Sequence, residues 1–321
     1  MKAVNVGLLG IGNVGGGAYQ ILGMNAEKIE KAVGAKVNVT KILARDKNKK
    51  REGICPEMIT DDPDEIINDP EIDIVVEVLG GVEPAATFML SAMKAGKHVV
   101  TANKAAVAAR YDELMKTAKE NNVEFRFEAS VGGAIPVLNA ITTVLKGNEI
   151  TEIMGIVNGT TNYILTKMTD LGLPYEDVLK EAQELGFAEA DPTADVEGHD
   201  VANKLCILMA LAFDKFVAPE DIPTKGISQI TAADIEEAKA AGEKIKLIAH
   251  AKLEDGNLTY SVAPKRLPNT HPLAGVSNEF NAIYVTGNAA GELMFYGRGA
   301  GPLPTGSAVV GDIMEIAKLV K

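Results

Sequence analysis

Tryptophan is missing altogether, and cysteine and histidine are scarce, at two and four in 321 residues. The two thiols, Cys55 and Cys206, show no metal-ligand spacing, so nothing here suits zinc, and a chain of this length needs no disulfide. Basic residues are also short. Lys and Arg total 32 against 44 Asp and Glu, a net charge of −12 that argues against nucleic acid and anionic membrane as partners. Long apolar runs are lacking too. The longest, 205–213, is about half of what a bilayer requires. The first ten residues are interrupted by Gly7 and read as a strand rather than a signal peptide, which points to a cytoplasmic protein.

What the chain does have is apolar material, 46% of its residues, in an alternating rhythm. Residues 4–9, 37–43, 72–79, 98–101 and 123–129 read as strands, with helices over 13–22, 85–95 and 111–121. Such alternation predicts an α/β fold, a Rossmann-type doubly wound parallel sheet with helices on both faces. After about Gly132 the rhythm changes. Helices are expected over 136–145, 161–169, 175–185, 200–213 and 232–245, a strand over 149–157, a polar loop over 186–198, and several strands within 249–296. A last helix is read over 311–320. The expected division is a first domain of the Rossmann type, 1–133, with a C-terminal helix at 303–321 packing back on it. A second α+β domain, 134–302, serves the substrate.

Gly10, Ile11, Gly12, Asn13, Val14 and Gly15 form a G-x-G-x-x-G turn between a first strand and a first helix. The first glycine permits the tight turn, the second lets backbone approach a pyrophosphate, and the third lets helix pack on strand. At the end of the second strand, Arg45 favours the 2′-phosphate of NADP, while the adjacent Asp46 suits the ribose of NAD. Arg45 follows Gly15 by 30 residues, so the first crossover must be long. Lys49 to Arg51 read as a solvated loop.

Further on, Glu189, Asp191, Asp195, Glu197 and Asp200 crowd a loop that runs into an apolar helix. Asp200 and Lys204 stand four apart and share one helix face. Physics alone leaves two readings open: an acidic surface loop with an ordinary i,i+4 ion pair, or a site for an amino acid. In the second, carboxylates hold an ammonium and lysine serves a hydroxyl or carbonyl oxygen.

The stretch from Ala182 through Gly186, Phe187, Asp191-Pro192, Asp195-Val196, Gly198 and Asp200 to Lys204 resembles the signature of the homoserine dehydrogenases. So, in the same order, do Gly10–Gly15, Thr101-Ala102-Asn103-Lys104, 128–136, 158–163 and 297–301. The resemblance implies reversible hydride transfer between L-homoserine and L-aspartate 4-semialdehyde, with NADP favoured over NAD. It implies Lys204 as general acid and base, Asp200 orienting the reacting oxygen, and Lys104 near nicotinamide and substrate. Glu189 would bind the ammonium, helped by Gly159 and Thr160, with Gly186 and Asp195 also at the substrate. Gly80 and Gly297 join the glycine turn and Arg45 as cofactor contacts. Glu128, Val131, Gly133 and Ile135 match a monovalent-cation site, for Na+ or K+, built mainly of carbonyls. His199 and His271 are read as structural. A homodimer through the second domain is the family's habit. Many relatives carry a C-terminal regulatory domain or an aspartate kinase fusion. This chain stops at Lys321, so strong feedback inhibition by threonine through such a domain is not expected.

Two rivals remain at this level. Another amino-acid-type dehydrogenase explains the first domain equally well but not the Asp191-to-Lys204 spacing. A catalytically silent NAD(P) redox sensor needs neither Lys104 nor Lys204.

Overall fold

The computed structural model describes residues 3–320, which form two compact units. One runs to Ala134 and takes up the chain again from Ala300; the other is Ile135–Gly299.

In the first unit, β1 (Val4–Leu9), β2 (Val37–Leu43), β3 (Ile59–Thr60), β4 (Ile74–Glu77), β5 (His98–Thr101) and β6 (Phe125–Arg126) make one sheet in the order β3-β2-β1-β4-β5-β6. Every pairing is parallel. β1 and β4 are buried almost throughout, as parallel strands covered on both faces must be. The order reverses between β1 and β4, the switch point where doubly wound sheets take ligands. The long first crossover is filled by a second helix, Ala26–Val33, ended by Gly34 at φ 81°. The last helix is Pro302–Val320, one residue from the start expected for the packing helix at 303–321 and nine residues before the narrower reading of 311–320. Gly306 is there for packing. A Cβ on it would meet the Ala18 nitrogen at 2.6 Å, and one on Gly17 would meet the Pro302 oxygen at 1.9 Å, so the Asn13–Met24 and Pro302–Val320 helices cross backbone to backbone.

The strand expected over 123–129 shrinks to Phe125–Arg126. Beyond it the chain turns into a short 3-10 segment, Glu128–Ser130, held by the Ser130 hydroxyl donating to the Phe127 carbonyl and the Glu128 amide donating to Asp312.

The second unit is built on an antiparallel sheet of β7 (Ile150–Ile156), β8 (Glu243–Glu254), β9 (Asn257–Pro268), β10 (Phe280–Gly287) and β11 (Gly291–Arg298), ordered β11-β10-β7-β8-β9. The helices Gly159–Leu171 and His199–Phe213 pack on it. The second of these is apolar nearly all round and buried along most of its length, as a core helix is. Two expectations fail here. The helix over 232–245 stops at Ala240, because Gly242 turns the chain at φ 74° and the alternation from Glu243 onward is that of a strand. The helix over 136–145 is a short turn, Val137–Asn139, continued as a π-helix, Ala140–Val144, in which the Leu145 amide reaches the Ala140 carbonyl. Thr142 and Thr143 return their hydroxyls to the carbonyls four residues back, which favours that distortion.

Candidate active site

The glycine turn has the geometry that its three glycines imply. Gly10 stands at φ 115°, where a Cβ would meet the Val78 carbonyl oxygen at 3.1 Å. Gly15 lies so close to the turn that a Cβ would sit 2.3 Å from the Gly10 oxygen. Gly12, by contrast, faces open space and is the N-cap of the Asn13–Met24 helix, with no side chain bonded there and no acidic residue in the first turn. That is the shape a phosphate cradle takes: tight where strand meets helix, and bare where an anion would lie against the helix N-terminus.

Past the end of β2, Arg45 and Asp46 are both exposed. Asp46 is occupied by its own loop. Its carboxylate accepts from the Asn48 amide at 3.0 Å, and its carbonyl accepts from Arg51 at 3.1 Å. Beside the switch point, a cleft of about 260 Å³ is lined by Val14, Leu79, Gly80, Asn103 and Lys104, among others. Gly80 and Gly81 turn its rim at φ 88° and 72°. Lys104 opens the Lys104–Ala109 helix, whose N-cap is Asn103 with its side chain accepting from the Ala106 amide.

In the second unit the Asp200–Lys204 pair lies on the buried side of the His199–Phe213 helix, not on a solvated face. Lys204 is 8% exposed and Asp200 6%. The lysine Nζ donates to Asp200 Oδ2 at 2.6 Å and to the Val157 carbonyl at 2.6 Å. Asn158, which sequence reasoning quoted but gave no role, ties the site together. Its Nδ2 donates to Asp195 at 2.7 Å and to Asp200 at 2.9 Å. Its Oδ1 accepts from the Thr161 amide at 2.9 Å and so caps the Gly159–Leu171 helix. A polar Asn directly between a strand and a helix was the available signal. Burying an ion pair is unfavourable unless the remaining lone pairs are satisfied, and here a neutral amide does that for both carboxylates.

The other candidates are placed as follows. Thr160 donates its hydroxyl to the Phe187 carbonyl at 2.6 Å, bringing the start of the helix to the acidic loop. A Cβ on Gly159 would meet the Glu279 oxygen at 2.9 Å. Gly186 has a backbone role: at φ 77° it ends the Tyr175–Glu184 helix, with the Gly186 amide bonded to Gln183 and the Phe187 amide to Ala182, a Schellman cap. Glu189 is exposed, and its carbonyl accepts from Gln183. Within the loop read as irregular, Thr193–Val196 is a short helix, and the Thr193 amide and hydroxyl hold the Asp191 carboxyl below its usual range. Gly297 lies in β11 opposite Asn281. Glu128, Val131 and Gly133 are buried in the first unit, while Ile135, also buried, belongs to the second. His271 accepts from the Leu273 amide, a structural bond, and His199 is exposed. Cys55 and Cys206 are both unbridged. Burial pushes the Cys206 thiol up to about 12, which leaves it unreactive. Among the described residues no helix is long and apolar enough to cross a membrane.

Residues 136–314 match the family model described as homoserine dehydrogenase, and 10–128 match that of the homoserine dehydrogenase NAD binding domain. The chain is 50% identical over 319 residues to the homoserine dehydrogenase of Bacillus subtilis, covering 99% of this chain and 74% of that one. It is 48% identical to that of Corynebacterium glutamicum, covering 99% and 72%. A crystal structure of a homoserine dehydrogenase from Thiobacillus denitrificans superimposes with a TM-score of 0.96 at 44% identity, over 99% of this chain and 74% of that one. A hyperthermophilic archaeal homoserine dehydrogenase in complex with NADPH gives 0.84 at 29% identity, over 98% and 97%.

Proposed function

Since the chain belongs to the homoserine dehydrogenase family, we propose how its residues divide the work of that activity. The activity is NAD(P)-dependent oxidoreduction at a CH–OH group. The substrate pair is L-homoserine and L-aspartate 4-semialdehyde. The observation that carries the assignment of roles is the buried Asp200–Lys204 pair, with Asn158 completing it.

When bound, the nicotinamide supplies the hydride donor and acceptor. The glycine turn holds the pyrophosphate, the Leu79–Gly81 rim and Lys104 shape the cleft beside it, and Arg45 reads a 2′-phosphate. NADP is therefore the preferred cofactor, a reading supported by Asp46 being occupied within its own loop. In the reducing direction the Lys204 ammonium donates a proton to the aldehyde oxygen as that carbon gains hydride. In the oxidising direction neutral Lys204 takes the proton from the hydroxyl. Asp200 fixes the Nζ and steadies its positive charge. Glu189 binds the substrate ammonium, with Gly159, Thr160, Gly186 and Asp195 framing the same pocket. Glu128, with carbonyls of Val131, Gly133 and Ile135, holds Na+ or K+ and so braces the chain near residue 133. The protein works as a homodimer through its second unit, a reading supported by the exposed Met294 and Tyr296 on β11.

The test is absorbance at 340 nm with L-homoserine and NADP or NAD in parallel. Homoserine-dependent reduction, faster with NADP, is expected. No reduction of either cofactor, and no oxidation of NADPH by the semialdehyde, would sink the assignment of roles.

A further inference from the structure

One buried acid in the first unit is used by none of these roles. Glu77 ends β4, a strand otherwise of Ile and Val, and is completely buried. Nothing about packing asks for a carboxylate in the middle of a parallel sheet, where desolvation opposes its charge and pushes its pKa up.

Its contacts explain its presence. Oε1 accepts from the Leu79 amide at 2.7 Å, and Oε2 accepts from the Thr101 hydroxyl at 2.7 Å. The Thr101 oxygen in turn accepts from the Asn103 amide at 2.9 Å. Asn103 sends its Nδ2 to the Gly81 carbonyl at 2.7 Å, leaning toward Glu77 Oε1 at 3.5 Å, while its Oδ1 caps the helix that Lys104 opens. The carboxylate therefore ties together two segments that meet nowhere in sequence, Leu79–Gly81 after β4 and Asn103-Lys104 after β5. Both line the cleft beside the switch point. Gly80 and Gly81, at positive φ and with little around them, have no side chains to fix that rim, so its shape depends on bonds to its backbone.

We propose that Glu77 is a positioning residue for the cofactor: it acts through Leu79, Thr101 and Asn103 to set the rim of the cleft and the place of Lys104. This rests on reading the cleft as the nicotinamide side of the cofactor site. A residue with a merely structural role lowers stability and disturbs both reactants alike. A positioning residue of this kind disturbs the cofactor and leaves the second unit's substrate residues as they were.

The experiment compares the full-length wild type with Glu77→Gln, Thr101→Val and Thr101→Ser. NADPH binding is followed directly by cofactor fluorescence, and KM is determined separately for cofactor and homoserine. Gln keeps the shape but turns an acceptor into a donor, and NADPH affinity should fall about tenfold or more, the scale of a charged hydrogen bond. Cofactor KM should rise with it and kcat fall, while homoserine KM stays within about twofold of wild type. Thr101→Val, which loses one arm, should show the same pattern more weakly, and Thr101→Ser, which keeps the hydroxyl, should match wild type. If Glu77→Gln does not fold, the Val and Ser pair decides. NADPH affinity unchanged in the folded variants, or both KM values rising together, overturns the proposal. A wild type that binds NADPH but does not turn over homoserine overturns the assignment of substrate roles instead, and the NADPH affinities still decide the case of Glu77.

Discussion

Each unit of the chain buries a carboxylate at a candidate site, and the two are held in opposite ways. Asp200 faces a cation, Lys204 at 2.6 Å, with Asn158 as a second donor. Glu77 is held by backbone amides, a threonine hydroxyl and an asparagine side chain, all neutral. The first arrangement suits chemistry, because a carboxylate at a fixed distance holds the lysine Nζ and its proton in one place. The second suits architecture, because neutral donors anchored in the backbone convert one negative charge into the shape of a loop. Damage at the Asp200 site should therefore appear in turnover, and damage in the first unit in the cofactor constants.

The largest effect should come from Lys204→Ala. Loss of a general acid and base of this kind lowers kcat by roughly 10² to 10⁴ fold. It also leaves Asp200 buried beside one neutral amide, so some loss of stability accompanies it. NADPH affinity, read by cofactor fluorescence, should hardly move. A variant that keeps substantial kcat would make Lys204 one half of a structural ion pair.

Next in size is Arg45→Ala, which sharpens the other side. If Arg45 meets a 2′-phosphate as proposed, removing its charge should lower the ratio of kcat/KM for NADP over NAD by about 10 to 100 fold, the value of one or two charge-assisted hydrogen bonds. The homoserine constants should be unaffected. An unchanged ratio would move phosphate recognition to another residue and reopen a role for Asp46.

A smaller effect is expected at Glu189, which is exposed where Asp200 is buried. Glu189→Gln keeps the shape and removes the charge, so homoserine KM should rise about tenfold while kcat changes little. A fall in kcat with KM unchanged would take Glu189 away from the ammonium and place it with the reacting oxygen.

The asymmetry also explains what the sequence could disclose. Asp200 and Lys204 sit four apart on one helix, so local geometry puts them on one face and their partnership can be read directly. The glycine turn is equally local. Glu77 is different. Its partners Thr101 and Asn103 lie on the next strand and loop, and only the β4–β5 register, Glu77 opposite Thr101, brings them together. Val157 and Asn158 reach Lys204 and Asp200 in the same non-local way. Two points in the secondary structure turn on a glycine. Gly242 divides a helix from a strand where composition runs on smoothly, and the close packing that Gly306 serves shows only once the helix it packs against is in place.

Lys204 has a buried counterpart in the same unit. Lys246, on β8, is 2% exposed and donates to the Val276 carbonyl at 2.6 Å and to Asn162 Oδ1 at 2.9 Å. Both are neutral acceptors, so burial dominates and lowers its pKa from 10.5 to about 8, with Lys244 adding to the shift and Asp170 opposing it. The sign follows from proton binding. Below pH 8 folded and unfolded chains both carry the proton, and the full desolvation penalty applies. Between about 8 and 10.5 the unfolded chain still holds the proton while the folded chain releases it, so the contribution of Lys246 to stability rises with pH. Lys246→Met keeps the length of the side chain and removes the titration. The hydrogen bonds it loses, to Asn162, Thr166 and Val276, are lost at every pH and cancel in the slope. The stability of wild type relative to this variant should therefore increase by about 1 kcal/mol from pH 7 to pH 9, or about 2 °C in Tm. Parallel melting curves for the two proteins across that range would mean that Lys246 keeps its proton in the fold, held there by neutral acceptors alone.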